Sequence, residues 1–411
     1  MKNFSILLTA LLSMECNEEI KLPVISYSEI HSSQCSRDTL HVYHYTIPIQ
    51  QTGKLPLLII LDSGGDGLFA VKKLQPAAGN FAIIMAGSDL IKNNYPDFIR
   101  AISLLIDDVA HKFPVAKDQV YLAGFSGGAR MAFEYARQFP VKGVLMCGAG
   151  PETSKNLPCP VYMIAGTTDF NFAEMYYNPW LSGKTEGLLL DYFRGGHEWP
   201  PPEKIKNGLL FLAAPKNRKQ IKAASRQLSD KADSLMDRHE ALFSIKAAEM
   251  ALVFDPSNRI AKKIGRKIME DKHIRENIHQ LESDLNLERK IGQAYVQASF
   301  RYDSIWWAKE IDRLLEKIDG SEGEQKNHFL RIKAFLGILY YSRLNTMLSS
   351  DPWNPQIENL LPAYRLIEPN NPDVYYAYAR YEKKKGNDRK SSYYLNKSYT
   401  LGFKDKSGVP F

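Results

Sequence analysis

From Leu40 to Leu212 short β-rich apolar runs alternate with stretches of helical periodicity, the pattern of a parallel sheet flanked by helices. The runs predict strands over Leu40 to Ile47, Leu57 to Leu61, Phe81 to Met85, Gln119 to Ala123, Gly143 to Cys147, Val161 to Ala165 and Leu188 to Phe193. Between them Tyr95 to Phe113 and Gly128 to Phe139 read as amphipathic helices, each ended by a proline, Pro114 or Pro140. After Pro215 strand signals disappear, and Lys, Glu, Ala, Leu and Arg recur with a 3.6-residue period, so the back half is all-helical.

The chain therefore divides into a signal or anchor segment (1–20), a sheet domain (21–214) and a helical domain (215–411). Lys2 followed by the apolar stretch Phe4 to Met14 has the length of a signal-peptide core and is too short to span a bilayer, so export to the periplasm or cell envelope is expected. Cys16 stands where a lipoprotein's acylated cysteine would, but Ser13, Met14 and Glu15 before it are poor cleavage-site residues.

With 411 residues, 44% hydrophobic and 24% charged, the composition is that of a globular chain of two or three domains. Lys and Arg number 18 against 20 Asp and Glu up to Leu210, and 35 against 26 beyond it. The basic excess belongs to the helical half, where it is interleaved with acids rather than clustered, so nucleic-acid binding is not expected. No two of Cys16, Cys35, Cys147 and Cys159 have the spacing of a zinc ribbon or redox loop, and no metal or cofactor is expected.

Gly124-Phe125-Ser126-Gly127-Gly128 follows one predicted strand and opens a helix, the setting of a nucleophile elbow. A serine hydroxyl needs a base to take its proton and a third group to orient that base. Downstream come Asp169 and His197, each just beyond a predicted strand, where a parallel sheet gathers catalytic groups. His197 is the only histidine between Ser126 and Pro215. Asp191 and Glu174 are weaker candidates for the acid, the first inside a predicted strand and the second on the helix after the Asp169 loop. For the oxyanion, the Gly127 amide is the first donor, and Gly65 or Asp66, in the Gly-rich loop after Leu61, is favoured as the second. Phe125, Phe170, Phe172, Tyr176, Tyr177, Trp180 and Trp199 lie beside these motifs and could form a substrate platform.

GFSGGARMAFEYA with GGHEWPP resembles the α/β-hydrolase superfamily, and within it the polyhydroxybutyrate depolymerase and feruloyl esterase-like branch, whose histidine sits in a Gly-Gly-His-x-Trp-Pro context. The resemblance covers about Leu40 to Leu212 and implies a serine esterase with Ser126 as nucleophile, Asp169 as orienting acid and His197 as general base. The His-Gly pair common in the family's oxyanion loop is absent. Lys246 to Asn258 and Asn371 to Phe403 resemble tetratricopeptide-repeat helices, in which small residues, here Ala377, Gly386 and Ser392, let two helices approach; a non-repetitive helical bundle is the competing reading. Two other functions fit less well: a prolyl oligopeptidase-like peptidase, and an idle hydrolase fold serving a repeat-domain scaffold. The expected partners are a small or polymeric ester, a protein on the helical domain and, through Cys16, a membrane. The chemistry is expected to lie wholly before Pro215.

Overall fold

The computed structural model describes residues 25–49, 53–79, 81–151, 157–177, 187–213 and 218–403. The expected leader, Cys16 and Trp180 lie outside these residues. Among these residues eight strands form one sheet in the order β1-β2-β4-β3-β5-β6-β7-β8. They are β1 His31–Cys35, β2 Asp38–Thr46, β3 Leu55–Leu61, β4 Ile84–Ser88, β5 Val115–Phe125, β6 Gly143–Cys147, β7 Val161–Gly166 and β8 Leu188–Phe193. The pairs β1–β2 and β2–β4 are antiparallel, and all others are parallel. This is the α/β-hydrolase fold, followed by an all-helical region.

The central strands are apolar on both faces because helices cover both. On one face Leu57, Ile59, Leu122, Val144 and Met163 pack with α2 (Phe98–Lys112) and α3 (Gly127–Gln138). On the other Leu58, Ile60, Leu145, Tyr162 and Ile164 meet α1 (Gly67–Ala78) and α5 (Pro202–Leu212). That second cluster continues without a break into α6 (Arg218–Asp237), α7 (Ala241–Phe254) and α8 (Arg259–Glu270), through Leu228, Ala232, Met236, Ala248, Ala251 and Ile264. Phe172 and Met175 of the short α4 (Phe172–Tyr176) and Leu281 and Leu285 of α9 (Lys272–Arg301) join the first cluster. A separate helical core unites the end of α9 with α10 (Ser304–Asp319), α11 (Gly323–Ser350), α12 (Gln356–Ile367) and α13 (Pro372–Lys384) around Trp307, Leu336, Tyr340 and Tyr364.

The last helix, α14 (Asp388–Thr400), packs against α13. The three small residues suggested by the sequence fall in different places. Ala377 is buried, but Ser392 is exposed, and the buried serine is Ser391, whose hydroxyl donates to the Ala379 carbonyl at 3.0 Å. Gly386 sits in the turn between the helices at φ 76°. Cys35 and Cys159 are both free thiols.

Candidate active site

Ser126 follows the end of β5 and has φ 54° and ψ −121°, a backbone conformation that costs a residue with a Cβ of order 1–3 kcal/mol. The surroundings impose it. Its N–H donates to the Cys147 carbonyl on β6 at 2.8 Å, and α3 starts at the next residue. A Cβ on Gly124 would stand 2.3 Å from the Gly128 backbone, and one on Gly128 would stand 2.0 Å from the Leu61 carbonyl oxygen. Glycine is required at both positions because strand and helix touch there.

Asp169 lies in the loop after β7 and His197 in the loop after β8. The His197 Nε2 is 2.9 Å from Ser126 Oγ, and its Nδ1 is 3.0 Å from both Asp169 carboxylate oxygens. The structure thus brings together the three side chains expected from sequence, with His197 between Ser126 and Asp169. The Asp169 side chain is fully buried, whereas that of His197 keeps 21% of its surface exposed. Asn171 N–H donates to Asp169 at 2.8 Å and fixes the carboxylate. The imidazole is held between the rings of Phe170, at 4.3 Å, and Phe125, at 4.8 Å.

The competing acids are occupied elsewhere. Asp191 accepts from Tyr162 at 2.9 Å and pairs with Lys204 at 2.6 Å. Glu174 pairs with Arg130 at 2.9 Å and accepts the Gly150 N–H at 3.0 Å. The carboxylate at His197 Nδ1 is that of Asp169.

Gly127 is the first residue of α3, where the N–H has no acceptor within the helix. On the loop after β3 the Gly65 N–H donates to the Asp62 carbonyl at 3.1 Å, and the Asp66 side chain caps α1 by accepting from Phe69 N–H at 2.9 Å. Asp62 occupies the position after the strand, accepting the Trp199 indole N–H at 3.1 Å and the Gly64 N–H at 2.8 Å, and so ties this loop to the His197 loop.

Sequence reading missed two contributors. Asn93, in the loop after β4, lies so close over Gly127 that a Cβ there would stand 1.6 Å from its amide oxygen. A lone Asn-Asn pair in a polar loop carries no signal for this. The second is the helical half, which forms one wall of the cleft above Ser126. The cleft has a volume of about 1640 Å³; Ser126, Gly127, Asn93 and Phe170 line one side, and Tyr341, Asn345 and Ser349 of α11 with Tyr376 and Arg380 of α13 line the other. Of the aromatic residues singled out from sequence, Phe170 lines this cleft, while Phe172 is buried and Tyr176 and Tyr177 meet Glu282 of α9.

Arg331 of α11 reaches the loop that carries Asp169 directly. It is 1% exposed and donates to the Thr167 carbonyl at 2.7 Å, to Glu324 at 2.8 Å and to Glu288 at 2.8 to 3.0 Å. Burial alone would lower its pKa, but the two carboxylates hold it above the ordinary guanidinium value.

No family model matches the chain, and no curated protein matches it by sequence. Solved structures similar to it include a thermostable esterase from Pseudomonas putida ECU1011, at 13% identity over 47% of this chain and 81% of that one, with a TM-score of 0.36. Est1E from Butyrivibrio proteoclasticus is 16% identical over 46% of this chain and all of its own, with a TM-score of 0.36. A dienelactone hydrolase-like promiscuous phosphotriesterase, P91, from metagenomic libraries is 13% identical over 44% and 86%, with a TM-score of 0.35.

Proposed function

We propose that the chain is a serine hydrolase that cleaves carboxylic esters through an acyl-enzyme. The observation that carries this reading is His197 within hydrogen-bond distance of both Ser126 and a fully buried Asp169. Ser126 Oγ attacks the ester carbonyl carbon while His197 Nε2 takes its proton, and Asp169 accepts from Nδ1–H and stabilises the imidazolium. The carbonyl oxygen becomes an oxyanion beside the Gly127 N–H. Collapse expels the alkoxide, which leaves as the alcohol with the proton from His197. Water, deprotonated by the same imidazole, then attacks the acyl-serine and releases the acid.

The Gly-Gly-His-x-Trp-Pro context of His197 favours the polyhydroxybutyrate depolymerase and feruloyl esterase-like branch. Exported placement is proposed with it, on the strength of Lys2 and the apolar stretch Phe4 to Met14. A fluorophosphonate applied to the full chain should label wild type and leave Ser126→Ala unlabelled. Equal labelling of both would overturn the assignment.

A further inference from the structure

We infer that the cleft takes esters carrying a carboxylate, held by Arg380 and Lys384 on the wall opposite Ser126. This inference rests on the esterase reading and names its substrate class.

The cleft is larger than the roughly 300–1,000 Å³ of an ordinary small-molecule site, so an ester lying at Ser126 has room to extend toward α13. Five charged side chains line it: Arg130, Glu134, Arg380, Lys383 and Lys384. Three have internal partners. Arg130 pairs with Glu174 at 2.9 Å, Glu134 with Arg137 at 2.6 Å and Lys383 with Asp388 at 2.9 Å. Among the described residues no carboxylate lies within ion-pair distance of Arg380 or Lys384. Two positive charges are therefore left uncompensated on one wall.

Arg380 is also held in place. Its Nη1 donates to Asn345 Oδ1 at 3.0 Å, its Nη2 to Ser349 Oγ at 3.1 Å, and its guanidinium lies 6.0 Å from the Tyr376 ring centre. Both acceptors are neutral, so they orient the planar fork without cancelling its charge. A positioned guanidinium loses little freedom when it binds a carboxylate. Lys384, exposed on the same helix, adds a second cation.

The test uses the full chain and two ester series. One places the carboxylate on the acyl part, as p-nitrophenyl or naphthyl hemiesters of dicarboxylic acids of increasing length. The other places it on the alcohol part, as acetates of ω-hydroxy acids, followed by pH-stat. Each is compared with its neutral methyl-terminated partner of equal length. The expected result is a chain length in at least one series at which the charged ester has the higher kcat/KM, with a preference that falls as salt is added. Arg380→Gln/Lys384→Gln should lower that charged-to-neutral ratio about tenfold or more, the scale of one lost charge-assisted hydrogen bond. Lys383→Gln removes the same kind of charge from a residue already paired, and should change the ratio less than about twofold.

Neutral esters preferred at every length in both series would overturn the inference, as would an equal fall in Lys383→Gln. If a fluorophosphonate labels Ser126 and neutral esters are still preferred, the esterase reading stands and only the anion subsite falls. If Ser126 is not labelled, both fall.

Discussion

Arg331→Met separates the two roles of a buried cation that joins the halves of the molecule. In the wild type Arg331 is 1% exposed and Glu288 9%, and their paired charges are shared with His328, whose Nδ1 lies 2.8 Å from Glu288. Removing the guanidinium strands the Glu288 carboxylate in the interior with His328 as its remaining partner. Breaking a buried pair in this way costs about 3–5 kcal/mol, a large part of the roughly 5–15 kcal/mol that holds a typical domain folded. Urea unfolding followed by circular dichroism should show that loss. Arg331→Met/Glu288→Leu removes both charges and should recover at least half of it, since an apolar pair of similar volume is often as stable as the ions it replaces. Activity should not recover in parallel, because in both variants the Thr167 carbonyl, two residues before Asp169, has lost its 2.7 Å donor. A displacement of about 1 Å in a catalytic group costs on the order of 100-fold, so kcat should stay at least tenfold low in the stable double variant. A stability loss under about 1 kcal/mol in the single variant, or wild-type kcat in the double, would refute the reasoning.

Ser126→Ala and His197→Ala should each remove nearly all ester hydrolysis, with the double variant little worse, because groups acting as one unit are not additive; a tenth of wild-type kcat in either single variant would count against the relay. Asp169→Asn should cost on the order of 10⁴ in kcat by leaving His197 in the wrong tautomer, whereas Asp191→Asn, which loses the Tyr162 and Lys204 contacts, should act on stability instead; the reverse ranking of kcat would move the acid role. Burial raises the Asp108 pKa, but hydrogen bonds from Lys112, Ser36 and Tyr43 outweigh it and hold the carboxyl at about 2. That lowered pKa contributes on the order of 2 kcal/mol above the unfolded value of 3.8, lost as pH falls from there through about 2. Asp108→Asn should therefore be destabilised at pH 7 and draw level with wild type in acid; a gap in urea midpoint that stays constant with pH would contradict this.

The sheet was legible where its strands are long and apolar. The spans of β6 and β8 were read as they stand, and the elbow and His197 were found because glycine spacing and a solitary histidine leave few alternatives. The predicted β4 run, Phe81 to Met85, lies upstream of the observed Ile84–Ser88, whose Ala-Gly-Ser residues look like a turn. They are strand because Gly87 lets α1 press against the sheet at Gly67, where a Cβ would come within 2.3 Å of backbone. The polar edge strand β1, His-Ser-Ser-Gln-Cys, has no apolar alternation to betray it. In the helical half a lone Arg331 or Arg380 reads as part of a solvated charged face, since only tertiary packing distinguishes them from their neighbours. Ser126, Asp169 and His197 all precede Pro215, but one wall of the cleft and the support of Thr167 come from α11 and α13, which no motif before Pro215 announces.

The unbroken apolar cluster running from the sheet into α6, α7 and α8 has a consequence during synthesis. When Leu212 leaves the ribosome, one face of the sheet still lacks Leu228 to Ile264, and the other lacks Leu281 and Leu285. At about 5–20 residues per second, the next 70 or so residues take several seconds to emerge. Throughout that interval a nearly complete sheet displays uncovered hydrocarbon. A chain stopped at Leu212 should therefore expose apolar surface on both faces of the sheet, read as binding of a hydrophobic dye that the full chain does not show.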